Sequence, residues 1–132
     1  MRTGGQEESL IKLGESIIGA AIKVHSHLGP GLLESVYEAC LVHELRQRGL
    51  AVEAQRIVPV QYEGLVLDSA FRLDVLVEDR VVLEIKSVNQ LLPIHKAQLI
   101  SYLRLGNFPL GYLMNFNEVH MRQGIKRVVG KL

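Results

Sequence analysis

The stretch LVLDSAFRLDVLVEDRVVLEIK, residues 65–86, decides the fold. From Leu65 to Val77 the odd positions are Leu65, Leu67, Ser69, Phe71, Leu73, Val75 and Val77, while the even ones are mostly polar. Successive side chains of a strand point to opposite faces, so this alternation predicts a half-buried strand. Glu78-Asp79-Arg80 makes a short polar turn, and Val81 to Val88 then carries Val81, Leu83 and Ile85 on one face and Val82, Glu84 and Lys86 on the other. The two runs form a hairpin. Symmetry about Asp79 sets Asp74 opposite Glu84, where directly opposed β-carbons lie about 4.5–5.5 Å apart. A slip of one residue would send the two carboxylates to opposite faces.

Outward from the hairpin, Ala51 to Tyr62 is rich in Val and Ile and predicts a further strand, with Pro59 marking an edge or a bulge and Glu63-Gly64 a turn. Before it, Leu10, Leu13, Ile17, Ala21, Val24 and Leu28 recur at three- and four-residue steps, the period of an amphipathic helix. Gly29-Pro30-Gly31 ends that helix, and a second runs from Leu32 to about Arg48, stopped by Gly49. After the hairpin, Pro93 opens a third helix to Leu105, closed by Gly106-Asn107. Leu110 to Phe116 reads as a strand and Ile125 to Val129 as a short strand or tail. The order α-α-β-β-β-α-β, a meander followed by a crossover helix, implies an α/β sandwich with a mixed sheet.

The chain has 132 residues, enough for one domain, here residues 10–132 after a flexible start over 1–9. No apolar run approaches the roughly 18–20 residues that span a bilayer, and Met1 to Ser9 lacks a signal peptide's apolar centre. The single cysteine, Cys40, excludes an internal disulfide. A cytoplasmic protein without membrane partners is expected. Net charge is only +1, but residues 91–132 carry Lys96, Arg104, Arg122, Lys126, Arg127 and Lys131 against Glu118 alone. That basic third is either a solvated face or a track for phosphates. The five histidines are isolated or diverge along a helix, and read as surface or helix-end residues.

Two carboxylates meeting across a hairpin repel each other unless a cation offsets them. Mg²⁺ keeps several waters and takes one or two protein carboxylates, which suits a pair of this size, and Mn²⁺ is the alternative ion. Lys86 shares the face of Glu84. An ammonium beside a metal-bound water can orient it, and the ion lowers the water's pKa and neutralises charge on a phosphate. These are parts for phosphodiester hydrolysis. The alternative is a surface charge ladder, in which Arg72 opposes Lys86 and the diagonal pairs Asp74–Lys86 and Glu84–Arg72 each contribute a few tenths of a kcal/mol. Glu34 shares its helix side with Tyr37, Leu41 and Leu45, so an anion stands at the edge of an apolar stripe; a first-turn carboxylate favoured by the helix dipole explains it equally. Gln98 and Tyr102 are four apart on one helix side, as an amphipathic border would also place them.

Asp74, nine intervening residues, then Glu84-Ile85-Lys86 resembles the D…(D/E)xK signature of the PD-(D/E)xK nuclease superfamily. Gly31-Leu32-Leu33-Glu34-Ser35-Val36-Tyr37 resembles the GxxExxY signature of a small prokaryotic family within it, and the likeness runs from about Leu13 to Val129. The resemblance implies a restriction-endonuclease-like sandwich, a mixed sheet flanked by helices. It implies a metal held by Asp74, Glu84 and the Ile85 backbone carbonyl, with Glu34 as a further acidic member and Lys86 acting on the attacking water. Gln98 and Tyr102 are similar to the QxxxY motif of the RecB-like branch, associated there with the active site and DNA contact; Arg72 and Lys96 are further expected substrate contacts. Leu73 stands where the signature has proline, a position that carries no ligand. The expected function is divalent-metal-dependent cleavage of nucleic acid, namely DNA, by a homodimer or larger complex, because so small a chain has little surface to grip a duplex. The alternative is a non-catalytic nuclease-fold module that binds nucleic acid or a partner protein.

Overall fold

The computed structural model describes residues 4–130. Two helices, α1 (Gly4–Leu28) and α2 (Glu34–Gln47), precede three strands, β1 (Val52–Tyr62), β2 (Leu65–Val77) and β3 (Val81–Lys86). Helix α3 (Pro93–Gly106) leads to β4 (Leu110–Asn115), and a 3-10 turn at Met121–Gly124 to β5 (Ile125–Val129). The element order is the expected one. Helix α1 buries Leu10, Leu13, Ile17, Ala21 and Val24, as its periodicity requires. It starts at Gly4 rather than Leu10, so residues 4–9, expected to be a flexible start, are helical. Arg80 of the β2–β3 turn donates to Ser9 Oγ and the Gln6 carbonyl, which anchors that first segment. The expectation for residues 1–3 lies outside the described residues.

The five strands form one sheet in chain order. Neighbours are antiparallel except β3 and β4, which run parallel because α3 crosses over between them. Helices α1 and α2 cover one face, packing on Val75, Val77, Val81, Leu83, Ile85, Tyr112 and Met114. Helix α3 covers the other, with Leu99 and Leu103 against Leu73, Leu76, Val82, Leu113 and Val128. Gly111 lets α3 sit close, since a Cβ there would come 3.0 Å from Leu99 and 3.2 Å from Leu103. The result is a three-layer sandwich around a mixed sheet. Among the described residues no helix is long and apolar enough to cross a membrane.

Alternation along β2 does not hold from end to end. Residues 65–70 are exposed, because with 61–64 of β1 and its turn they form an arm that reaches beyond the helical layers. Leu65 and Leu67, expected inside, are 56% and 47% exposed. Pro59 does lie on an edge strand, at a shift of the β1–β2 register between Val58 and Val60. Nor do the odd residues share one face: Leu73 packs under α3 and Val75 under α1 and α2.

Candidate active site

The β2–β3 pairing is centred on Asp79, with Val77 opposite Val81, Leu76 opposite Val82 and Val75 opposite Leu83. The tight turn is set by left-handed Glu78 (φ 52°) and Asp79 (φ 55°), with Arg80 N–H donating to the Val77 carbonyl at 3.0 Å. Asp74 and Glu84 lie one step past the last pair. There the Ile85 N–H donates to Asp74 Oδ2 at 2.9 Å.

Glu84 shares the face of Val82, under α3, and is only 4% exposed. Burial first, then the neighbouring Asp74 carboxylate and a hydrogen bond with it, push the Glu84 carboxyl up to about 9; the Lys86 ammonium and the Asp74 backbone oppose the rise. Its Oε1 is buried with no hydrogen-bond partner. A buried polar atom without a partner is costly, and a divalent cation is the species that would satisfy it while offsetting two carboxylates. The donor set therefore fits such an ion, with Asp74 and Glu84 as its carboxylates. Among the described residues, no three His, Cys, Asp or Glu side chains gather around a single ion position.

Glu34 comes to the same end of the sheet by another route. Gly29 (φ 73°) and Gly31 (φ 93°) turn the chain sharply before α2. The Tyr37 hydroxyl donates to the Gly29 carbonyl at 2.6 Å and accepts the Leu32 N–H at 3.1 Å, while its ring stacks on Phe116 with centroids 4.7 Å apart. Glu34 then stands in the first turn of α2, and its Oε2 accepts the Ser87 N–H at 3.3 Å. Ser87 Oγ donates to the Leu32 carbonyl at 2.6 Å. The loop before α2 is thus bound to the residue that follows Lys86.

Helix α3 supplies Gln98 and Tyr102. Burial and the charges of Glu84 and Asp74 raise the Tyr102 phenol above its ordinary range, and a hydrogen bond with Gln98 opposes this. Its ring stacks on Phe71 with centroids 4.4 Å apart. Asp74, Glu84, Lys86, Gln98 and Tyr102 therefore interact within one site, whereas Lys96 is exposed on α3. The charge ladder does not form: no ion pair joins Arg72 to Glu84 or Lys86 to Asp74 among the described residues. Arg72 lies beyond the paired part of β2 and β3, and its charge acts on Glu38.

Residues 11–128 match the family model of the PD-(D/E)XK nuclease superfamily. The chain belongs to this superfamily. No match emerges among curated proteins or solved structures. In this PD-(D/E)XK chain two residues, Glu38 and Gln55, escaped the sequence reading, and a third, Asn115, was read only as part of a strand end. Glu38 is half-buried one turn after Glu34 and is pushed up by burial and by Asp74 and Glu34, against a hydrogen bond from Gln55; the i, i+4 spacing from Glu34 was the available signal. Gln55 lies between the Ala54–Val75 and Arg56–Leu73 pairs of the β1–β2 ladder with φ 58°, which no sequence pattern marks. Asn115, fully buried at the end of β4, accepts the Val88 N–H at 3.1 Å and donates to the Val88 carbonyl at 2.9 Å. Its signal was a lone amide in an otherwise apolar strand.

Proposed function

We propose that this protein is a nuclease that hydrolyses phosphodiester bonds of DNA, with Mg²⁺ or Mn²⁺ at the Asp74–Glu84 pair, and that it belongs to the GxxExxY family on the RecB-like branch. The observation that carries this reading is the buried Glu84 Oε1, without a partner beside a second carboxylate. A divalent cation bound there would supply a water of lowered pKa and neutralise charge on the scissile phosphate. The chain's own residues do the rest. Asp74 and Glu84 would hold the ion, with the Ile85 carbonyl as a further donor and Glu34 as an outer acidic member. Lys86 orients the attacking water. The Tyr102 phenol, kept protonated, donates to a phosphate oxygen, and Gln98 holds that ring in place. Lys96 and Arg72 contact the strand on either side.

The same reading takes the working species to be a homodimer or larger complex, supported by the exposed arm, where Tyr62, Leu65, Val66 and Leu67 are all about half or more uncovered. Light scattering that finds single chains fully competent in cleavage would overturn that part.

Calorimetric titration of Mn²⁺ into the wild type and Asp74→Asn, with cleavage of DNA and RNA in parallel, tests the assignment. Ion binding and cutting that are both lost in the variant are the expected result. Nucleic-acid binding without ion binding or cutting by the wild type would make the protein a non-catalytic module instead.

A further inference from the structure

In an unbroken antiparallel ladder Leu73 and Val75 would face the same way. They pack instead on opposite sides of the sheet, so β2 turns over at the residue between them, Asp74. Across the ladder Ala54 pairs with Val75 and Arg56 with Leu73, which leaves Gln55 opposite the turnover with φ 58°. A glutamine in the left-handed region crowds its Cβ against the backbone, and such strain persists only where the surroundings hold it. Here the Gln55 Nε2 donates to Glu38 Oε1 at 2.8 Å, which ties the strained residue to α2. On the other side of β2, Asp74 has left the regular pattern and its carboxylate has taken the Ile85 N–H.

The geometry points to Gln55 as a positioning residue for Asp74: its left-handed backbone lets β2 turn over at that point and deliver the carboxylate to Ile85 and Glu84. The side-chain bond to Glu38 offsets the cost of that conformation for glutamine, a cost that glycine does not incur. The consequence for catalysis rests on the nuclease reading; the placement of Asp74 does not.

Gln55→Gly and Gln55→Val separate backbone from side chain. Both remove the amide that reaches Glu38, but glycine adopts positive φ freely and a β-branched residue does not. Gln55 is exposed on an edge strand, where valine is a favoured residue, and Gln55→Thr replaces it should the valine variant not fold. The readouts are exchange of the Ile85 amide proton by NMR, Mn²⁺ affinity by calorimetry and steady-state cleavage of DNA. In Gln55→Val the Ile85 amide exchanges faster, Mn²⁺ affinity falls about tenfold and kcat falls with KM for DNA unchanged. Gln55→Gly matches the wild type in all of these. Equal behaviour of the two variants, or an Ile85 amide that stays protected in Gln55→Val, overturns the proposal. A wild type that neither binds Mn²⁺ nor cuts DNA would sink the nuclease reading alone, and Ile85 exchange would still decide the role of Gln55.

Discussion

Glu84 illustrates how a single residue changes character between chain and fold. In the sequence it is an anion on the polar side of a strand, opposite another anion. In the structure it is buried under α3, and its carboxyl is raised to about 9 from an ordinary 4.5. Between those values the ion-free folded state holds a proton that the unfolded chain has released. The stability contributed by the neutral carboxyl is therefore complete below pH 4.5 and lost as pH rises through 9, at a slope of at most about 1.4 kcal/mol per pH unit. Glu84→Gln, which keeps the shape and removes the titration, flattens this dependence. Chemical denaturation with a chelator present, from pH 5 to pH 9, measures both curves; parallel curves would contradict the buried, protonated Glu84. The opposition of Asp74 and Glu84 was legible because hairpin symmetry needs only a turn centre and a period of two. Glu38 and Gln55 were not, because their roles depend on α2 lying against the β1–β2 ladder, a contact between segments 17 residues apart.

Among the elements, α2 and the loop before it show what the Gly31–Tyr37 segment does physically. Tyr37 closes the Gly29–Leu32 loop with its hydroxyl and fastens α2 to the core through its ring on Phe116, so Glu34 enters the first helical turn beside Ser87. Tyr37→Phe keeps the ring stack and leaves the Leu32 N–H and Gly29 carbonyl without that partner. It lowers stability by about 1–2 kcal/mol in thermal or chemical denaturation. Exchange of the Ser87 amide rises with it, because Glu34 loses its fixed approach; unchanged Ser87 exchange would mean that Glu34 is placed independently of Tyr37. The boundaries of the helices were readable from periodicity and from Gly and Pro, except the start of α1, which lies at Gly4 rather than Leu10. The arm of β1 and β2 was not, since exposed strand residues such as Leu65 and Leu67 follow the same alternation as buried ones.

At the scale of the whole molecule, the sandwich puts a site where β3 ends beside the interior of β2, under a helix that carries exposed Lys96. With net charge +1, the DNA affinity that the proposed function requires would come from local contacts rather than the overall field. Lys96→Ala weakens DNA binding across sequences and reduces the slope of log affinity against log salt by roughly 0.9. Fluorescence anisotropy at several salt concentrations checks this, and an unchanged slope would remove Lys96 from the phosphate track. By itself the sequence determined the element order, the hairpin register and the motif residues, because these follow from short-range periodicity, turn chemistry and spacing along the chain. Only the tertiary structure decided that β2 turns over at Asp74, that the charge of Arg72 acts on Glu38, and that Glu84 is dry enough to hold its proton. Those outcomes depend on which layers close over each face of the sheet, and burial is a property of the assembled core rather than of any local stretch.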